Sequence, residues 1–305
     1  MTGAVTLSPD PLKYAPAQLK DLDDVLRAGC STSSGERRAK RGLAIAFSGG
    51  LDSRFLAFAA QRLGYSVTLL HVRGPHVTPQ ESAFAQSWAA VHTLPLINLF
   101  VDPLEDERVV TNHKLRCYFC KKLLFKALLC ASGALPLCDG THASDTTGYR
   151  PGRMALRELG IHSPLETSGF KKHDIRRVGA EIGMDMPWQK ARPCLLTRFP
   201  YGVCADAYLL HALAEAEEQL AALLNTYSRN AGLSCGDDPD FRVRILALTP
   251  SGADVEIHIR EKNCVTRSAA FLEECRLVFT KTPSLRLLNV RHLKTLSGYF
   301  DKMSK

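Results

Sequence analysis

A short apolar run, Gly42-Leu-Ala-Ile-Ala-Phe47, breaks into Ser48-Gly49-Gly50-Leu51-Asp52-Ser53 and is followed by a helical stretch, Arg54–Leu63. A buried strand that turns through two glycines straight into a helix restricts the fold more than any other segment of the chain. The glycines let the backbone come close to an anion, and the new helix offers unsatisfied N–H groups at its positive end. Ser48 and Ser53 add hydroxyl donors. Asp52 repels a phosphate unless it binds Mg²⁺ or accepts from a backbone amide. The plain alternative is a Ser/Gly turn that only caps a helix. The order of six residues at a strand–helix junction favours a phosphate loop.

The pattern continues in the same alternation. SVTLLHV (66–72) reads as a second strand, and Thr78-Pro-Gln-Glu81 as a capping box opening a helix to about His92. LINLFVD (96–102) is a third strand, and CKKLLFKALLCASG (120–133) a helix ending at Gly133. ALPLCDG (134–140) and IHSPLE (161–166) supply a fourth and a fifth strand, with a short helix at His173–Gly183. Strands spaced by helices predict an α/β fold with a doubly wound parallel sheet, its ligands at the carboxyl ends of the strands. That domain is expected over residues 41–202. Residues 1–40 read as a helical lead-in ending in a solvated basic linker, Cys30–Gly42. Beyond it lie a long helix (Asp206–Asn230), a Gly/Asp/Pro loop (Gly232–Asp240) and paired strands at 241–248 and 254–260. A helix near Arg267–Val278 and a strand at 285–290 follow, so a smaller α+β domain is expected over 203–305.

Composition narrows the chemistry. No apolar run reaches the roughly 18 residues of a membrane span, and the opening residues lack a signal-peptide pattern. A cytoplasmic location is therefore expected, where paired thiols more often hold metal or do chemistry than form disulfides. The net charge of +8 suits an anionic partner without choosing one.

Of the ten cysteines, three stand in chemically suggestive places. Cys117 and Cys120 form a C-x-x-C pair in Arg116-Cys-Tyr-Phe-Cys-Lys-Lys122, at the start of a helix whose end and cationic neighbours lower a thiol pKa. With no second such pair, a four-cysteine zinc site lacks support. Cys194 lies in a Pro-bounded loop, Lys190–Gly202, between Arg192 and Arg198, where an exposed, reactive thiol is expected. The other seven read as small core or surface residues.

Several segments together carry a resemblance. The hexapeptide resembles the SGGxDS loop of the ATP pyrophosphatases, the PP-loop enzymes that release AMP and pyrophosphate. With RCYFCKK, Asp139-Gly-Thr-His-Ala-Ser-Asp145, Tyr149-Arg-Pro-Gly152 before ALRELGIHSPL, PCLLTRFPYG, FRVRIL and LSGY, the chain resembles the LarE-type ATP-dependent sulfur transferases over about residues 40–300. These act in synthesis of the nickel-pincer nucleotide cofactor of lactate racemase. The resemblance implies an adenine nucleotide alpha-hydrolase-like sheet domain and a C-terminal domain for substrate binding or oligomerisation. It also implies a homo-oligomer, a small-molecule nucleotide substrate, and neither nucleic acid nor membrane as partner.

Residue by residue, the resemblance assigns ATP and Mg²⁺ to Ser48, Gly49, Gly50, Asp52 and Ser53, with Gly140, Thr141 and Asp145 facing the nucleotide. This chain has His142 and Ser144 where the family usually has Asn and Asp. Cys194 corresponds to the sulfur-bearing cysteine. Arg242 and Arg244 correspond to an R-V-R strand whose period of two puts both guanidinium groups on one face, opposite Val243 and Ile245, where they can grip a phosphate or carboxylate. Arg198 is expected to help them. Some family members have one cysteine and sacrifice its sulfur. Others add a C-x-x-C, and their three cysteines hold a [4Fe–4S] cluster with one iron left for a sulfide. Cys117, Cys120 and Cys194 place this chain with the second kind. The implied reaction adenylates a carboxylate of a pyridinium dicarboxylate mononucleotide and replaces AMP by sulfur. The alternative is a [4Fe–4S]-dependent PP-loop tRNA thiolase, against which the chain offers no zinc ribbon and no RNA-recognition signature.

Overall fold

The computed structural model describes residues 17–29, 42–146, 150–230, 240–260 and 264–303. The basic linker and nearly all of the Gly/Asp/Pro loop, with Cys30 and Cys235, lie outside the described residues. In chain order the elements begin α1 (Ala17–Gly29), β1 (Gly42–Ala46), α2 (Leu51–Arg62), β2 (Ser66–Arg73), α3 (Pro79–Val91) and β3 (Leu96–Phe100). Then come α4 (Glu107–Val110), α5 (Arg116–Ser132), β4 (Leu137–Cys138), α6 (Gly152–Glu158), α7 (Pro164–Thr167) and α8 (Lys172–Glu181). The chain finishes with α9 (Ala207–Asn230), β5 (Phe241–Thr249), β6 (Gly252–Arg260), α10 (Ala269–Thr280), β7 (Leu285–Leu293) and α11 (Tyr299–Met303).

These elements gather into two compact units, neither a single stretch of chain. The first takes the described parts of 1–73, 79–101 and 121–192, and the second those of 74–78, 102–120 and 193–305.

The first unit is built on a parallel sheet in the order β3-β2-β1-β4. Alternation along the strands feeds two cores. Leu43, Ile45 and Leu69 pack with Leu22, Phe55, Trp88, Ile175 and Val178 of α1, α2, α3 and α8. Ala44 and Leu70 turn the other way, onto Phe125, Leu128 and Leu156 of α5 and α6. Both faces are covered, as a doubly wound parallel sheet requires. Two strands came out shorter than expected. The fourth keeps only Leu137 and Cys138, since Pro136 offers a carbonyl to the Ala44 N–H but has no N–H of its own. The fifth shrinks to one bridge, Cys138 to His162, because Pro164 then opens α7 at its first turn.

In the second unit β5 and β6 pair antiparallel and β7 joins β6 in parallel. Val243, Ile245, Val255, Ile257 and Ile259 are fully buried, as are Leu213 and Leu220 of α9 and Phe271 of α10. The opposite face is polar: Arg242 stands across from His258, and Arg244 from Glu256. Among the described residues no helix is long and apolar enough to cross a membrane.

Candidate functional site

The Ser48–Ser53 segment joins β1 to α2, with Leu51, Asp52 and Ser53 already in the first turn of a helix that the sequence started at Arg54. Gly49 takes φ +72°, open to glycine at no steric cost. Gly50 precedes α2 without a capping side chain. The loop is closed by its own hydroxyls: Gly50 N–H donates to Ser48 Oγ (3.3 Å), Ser53 Oγ donates to the Gly50 carbonyl (3.1 Å), and the two Oγ atoms lie 3.3 Å apart.

The loop after β4 comes against it. A Cβ on Gly140 would lie 3.0 Å from the Ser53 nitrogen and 3.1 Å from the Asp52 carbonyl carbon, so only glycine lets the two backbones approach this closely. Thr141 is buried and its hydroxyl donates to Asp139, which also accepts from Ser163 (2.6 Å). Asp145 accepts from Arg150 at 2.8 Å. The buried His142 sets its Nε2 3.6 Å from Asp145 and 3.9 Å from Asp52, with its Nδ1 unpartnered. Gly140 and Asp145 are thus brought to the SGGLDS loop, while the Thr141 hydroxyl serves to hold its own loop.

Sequence reasoning left Asp52 needing a cation or an amide. Lys172, at the start of α8, supplies the cation: its ammonium donates to both Asp52 oxygens at 2.7 and 2.8 Å. The Lys172 N–H donates to Ser144 Oγ at 3.0 Å, which ties α8 to the Gly140–Asp145 loop. Among the described residues no three His, Cys, Asp or Glu side chains are grouped to hold one metal ion. Mg²⁺ needs no such group when substrate phosphates complete its shell, and Asp52 and Asp145 suit that role.

The second unit holds Cys117, Cys120 and Cys194. Cys117 and Cys120 occupy the first turn of α5, three residues apart and so on one side of it. Cys117 is exposed and Cys120 buried. Cys194 leads a short 3₁₀ turn, Leu195–Arg198, and is exposed as a residue. All three are thiols, as are Cys130, Cys138, Cys204 and Cys275. Burial of the Cys194 sulfur pushes its pKa up to about 11, against a hydrogen bond from the Leu196 backbone and weaker pulls from Arg116 and Arg198. The electropositive loop was expected to activate this thiol. Desolvation outweighs the arginines. Three thiols of this kind suit an iron–sulfur cluster, whose ligands each reach a different iron and need not converge on one ion.

The arginines cluster in the same unit. Arg198 grips Glu217 of α9 with two bonds, 2.6 and 2.8 Å. Glu217 also accepts the Val243 N–H at 2.9 Å, which fixes Arg198 against β5. Arg242 and Arg244 share the face opposite Val243 and Ile245, as the period of two predicted. Arg242 bonds Asp240 at 2.6 Å. Arg244 is buried rather than exposed, donating to the carbonyls of Thr197 (3.2 Å) and Leu296 and stacking on Tyr299 and Phe300. Burial, then the charges of Arg198 and Arg242, hold its pKa down at about 10. Three guanidinium groups that repel one another are thus gathered in one desolvated place, Arg198 and Arg244 buried and Arg242 partly so, each already holding a partner.

Sequence reasoning missed Lys172, Glu217 and Asn112. Each meets a partner far away in the chain, so no local motif marks it.

No family model matches the chain. Its sequence is 34% identical over 189 residues to an uncharacterized protein of Synechocystis sp., covering 59% of this chain and 68% of that one. It is 31% identical over 185 residues to the pyridinium-3,5-bisthiocarboxylic acid mononucleotide synthase of Lactiplantibacillus plantarum, covering 59% of this chain and 67% of that one. An uncharacterized protein of Methanocaldococcus jannaschii is 27% identical over 191 residues, with 61% and 71% covered.

Proposed function

This chain belongs to the LarE-type family, and on that premise we propose that it is an ATP-dependent sulfur transferase making a pyridinium thiocarboxylate mononucleotide. The observation that carries the reading is the second unit's grouping. Cys194 lies within electrostatic reach of Cys117, Arg116 and Arg198, and Arg198 in turn of Arg242 and Arg244, which supports a thiol site beside a place for an anion.

The first unit serves activation. Ser48–Ser53 and the N-terminus of α2 receive the ATP phosphates. Asp52 and Asp145 hold Mg²⁺, with Lys172 free to turn from Asp52 toward a phosphate oxygen. A substrate carboxylate oxygen attacks the α-phosphorus, the bond to the β-phosphate oxygen breaks, and pyrophosphate leaves. The acyl adenylate that remains carries AMP as leaving group.

The second unit serves sulfur transfer. Arg198 and Arg242 hold the anionic groups of the dicarboxylate mononucleotide. Cys117, Cys120 and Cys194 would hold a [4Fe–4S] cluster, whose chemistry there would be to supply sulfide to the acyl carbon. AMP departs with the oxygen that had been adenylated.

The test incubates anaerobically reconstituted protein with Mg-ATP and the pyridinium dicarboxylate mononucleotide, then measures the small molecules and the intact protein by mass spectrometry. The expected result is AMP, pyrophosphate and a product in which sulfur has replaced oxygen, with the protein mass unchanged. Pyrophosphate release without any sulfur in the product defeats the reading. A protein lighter by one sulfur and two hydrogens assigns Cys194 itself as the donor.

A further inference from the structure

Just before the C-x-x-C helix, Asn112 is fully buried in the left-handed region at φ +52°. Its groups point along two different segments of the second unit. Nδ2 donates to the carbonyls of Phe199 (2.8 Å) and Pro200 (2.5 Å), the end of the Cys194 loop. Oδ1 accepts from Arg116, the residue that opens α5 and precedes Cys117. The backbone carbonyl accepts the Gly202 N–H at 3.4 Å, and the backbone N–H donates to Val109 at 3.0 Å. One pair further along, Ala205 N–H donates to Val110 at 2.6 Å. Both amide hydrogens, the amide oxygen and both backbone groups are therefore used.

We propose that Asn112 is a positioning residue for the three-cysteine site, the crosspiece that holds the first turn of α5 in register with the Cys194–Gly202 loop. The inference rests on the reading that these cysteines act together. Its logic is one of satisfiability. Two carbonyls at the loop's end need two donors, the Arg116 guanidinium needs an acceptor, and the backbone needs a residue tolerant of positive φ. Asparagine alone among the common side chains meets all three: aspartate lacks the donors, glycine lacks the side chain, and glutamine lacks the left-handed tolerance. The link extends outward, because the Arg116 guanidinium also lies over the Tyr201 ring at 5.1 Å and the Tyr201 hydroxyl donates to Asp301 at 2.5 Å.

The experiment uses the full chain without iron and the thiol cross-linker dibromobimane, with bridged peptides mapped by mass spectrometry. A Cys117–Cys120 bridge lies within one helical turn and serves as internal reference. In the wild-type chain a bridge from Cys194 to the C-x-x-C pair is expected beside it. Asn112→Gly keeps the left-handed backbone and removes the carboxamide, and Asn112→Asp keeps the acceptor and removes both donors. Each is expected to lower the Cys194 bridge about tenfold against the reference, the scale of one or two lost hydrogen bonds. An unchanged ratio in either variant overturns the proposal. Fast hydrogen exchange at the Gly202 and Ala205 amides of the wild-type chain also overturns it, whether or not a variant folds. Loss of the Cys194 bridge in the variants, with wild-type protein that takes up no iron, leaves Asn112 as crosspiece and removes the cluster reading instead.

Discussion

Asp52 shows how one carboxylate can be ready for two partners. Its two oxygens are paired with Lys172, and in the proposed function the same oxygens would serve Mg²⁺ and release the ammonium to a phosphate. Asp52→Asn is expected to slow pyrophosphate release about a hundredfold, the scale of losing one well-placed charge in a reacting site. An unchanged rate in a coupled pyrophosphate assay removes Asp52 from the chemistry. Cys194→Ala is expected to do the reverse, leaving pyrophosphate release intact and abolishing the sulfur-bearing product; simultaneous loss of both activities refutes this division of labour. At this scale the sequence was informative about residues that sit in runs. SGGLDS and RCYFCKK could be read because neighbours in the chain are neighbours in space. Lys172 could not, lying 120 residues from the carboxylate it meets. Nor could the raised pKa of Cys194, since the arginines beside it are visible in a sequence and the packing that outweighs them is not.

Elements with a strong period were legible almost to their ends. β1, β2, α8, α9 and β5 fall within a few residues of their expected bounds, each with an apolar pattern suited to its packing and no proline inside it. The edge of the parallel sheet was not, because Pro136 and Pro164 remove the donors that longer fourth and fifth strands would need. The short β4 still has a task, since the loop that leaves it brings Gly140 against α2. Gly140→Ala tests that approach. The added methyl meets backbone atoms of Asp52 and Ser53, which cannot swing away as a side chain could. Overpacking of this kind costs on the order of 1–3 kcal/mol, and ATP affinity measured by calorimetry is expected to fall roughly tenfold or more. Wild-type affinity in this variant contradicts the close contact.

For the whole molecule, the surplus of +8 is partly gathered in three neighbouring arginines, Arg198, Arg242 and Arg244, beside others that are paired in surface bridges. Stability against acid has an identifiable contributor too. His76 is buried with its Nδ1 unpartnered, and burial lowers its pKa to about 4 against a weaker opposite pull from Asp102. The folded value lies below the ordinary 6.5, so folding favours the neutral ring. Its contribution is complete above pH 6.5 and is lost as pH falls through about 4, on the order of 3 kcal/mol in all. His76→Gln is expected to flatten this part of the urea-midpoint profile between pH 7 and 4.5; a parallel profile rules His76 out as the cause. The discontinuous second unit bears on biosynthesis as well. A ribosome delivers residues 102–120 well before 193–205, so Cys117 and Cys120 emerge with neither Cys194 nor the carbonyls that Asn112 will hold. The thiols are then nascent and unassembled for the time needed to translate more than seventy residues, and any iron held by all three must arrive after Cys194 has been made.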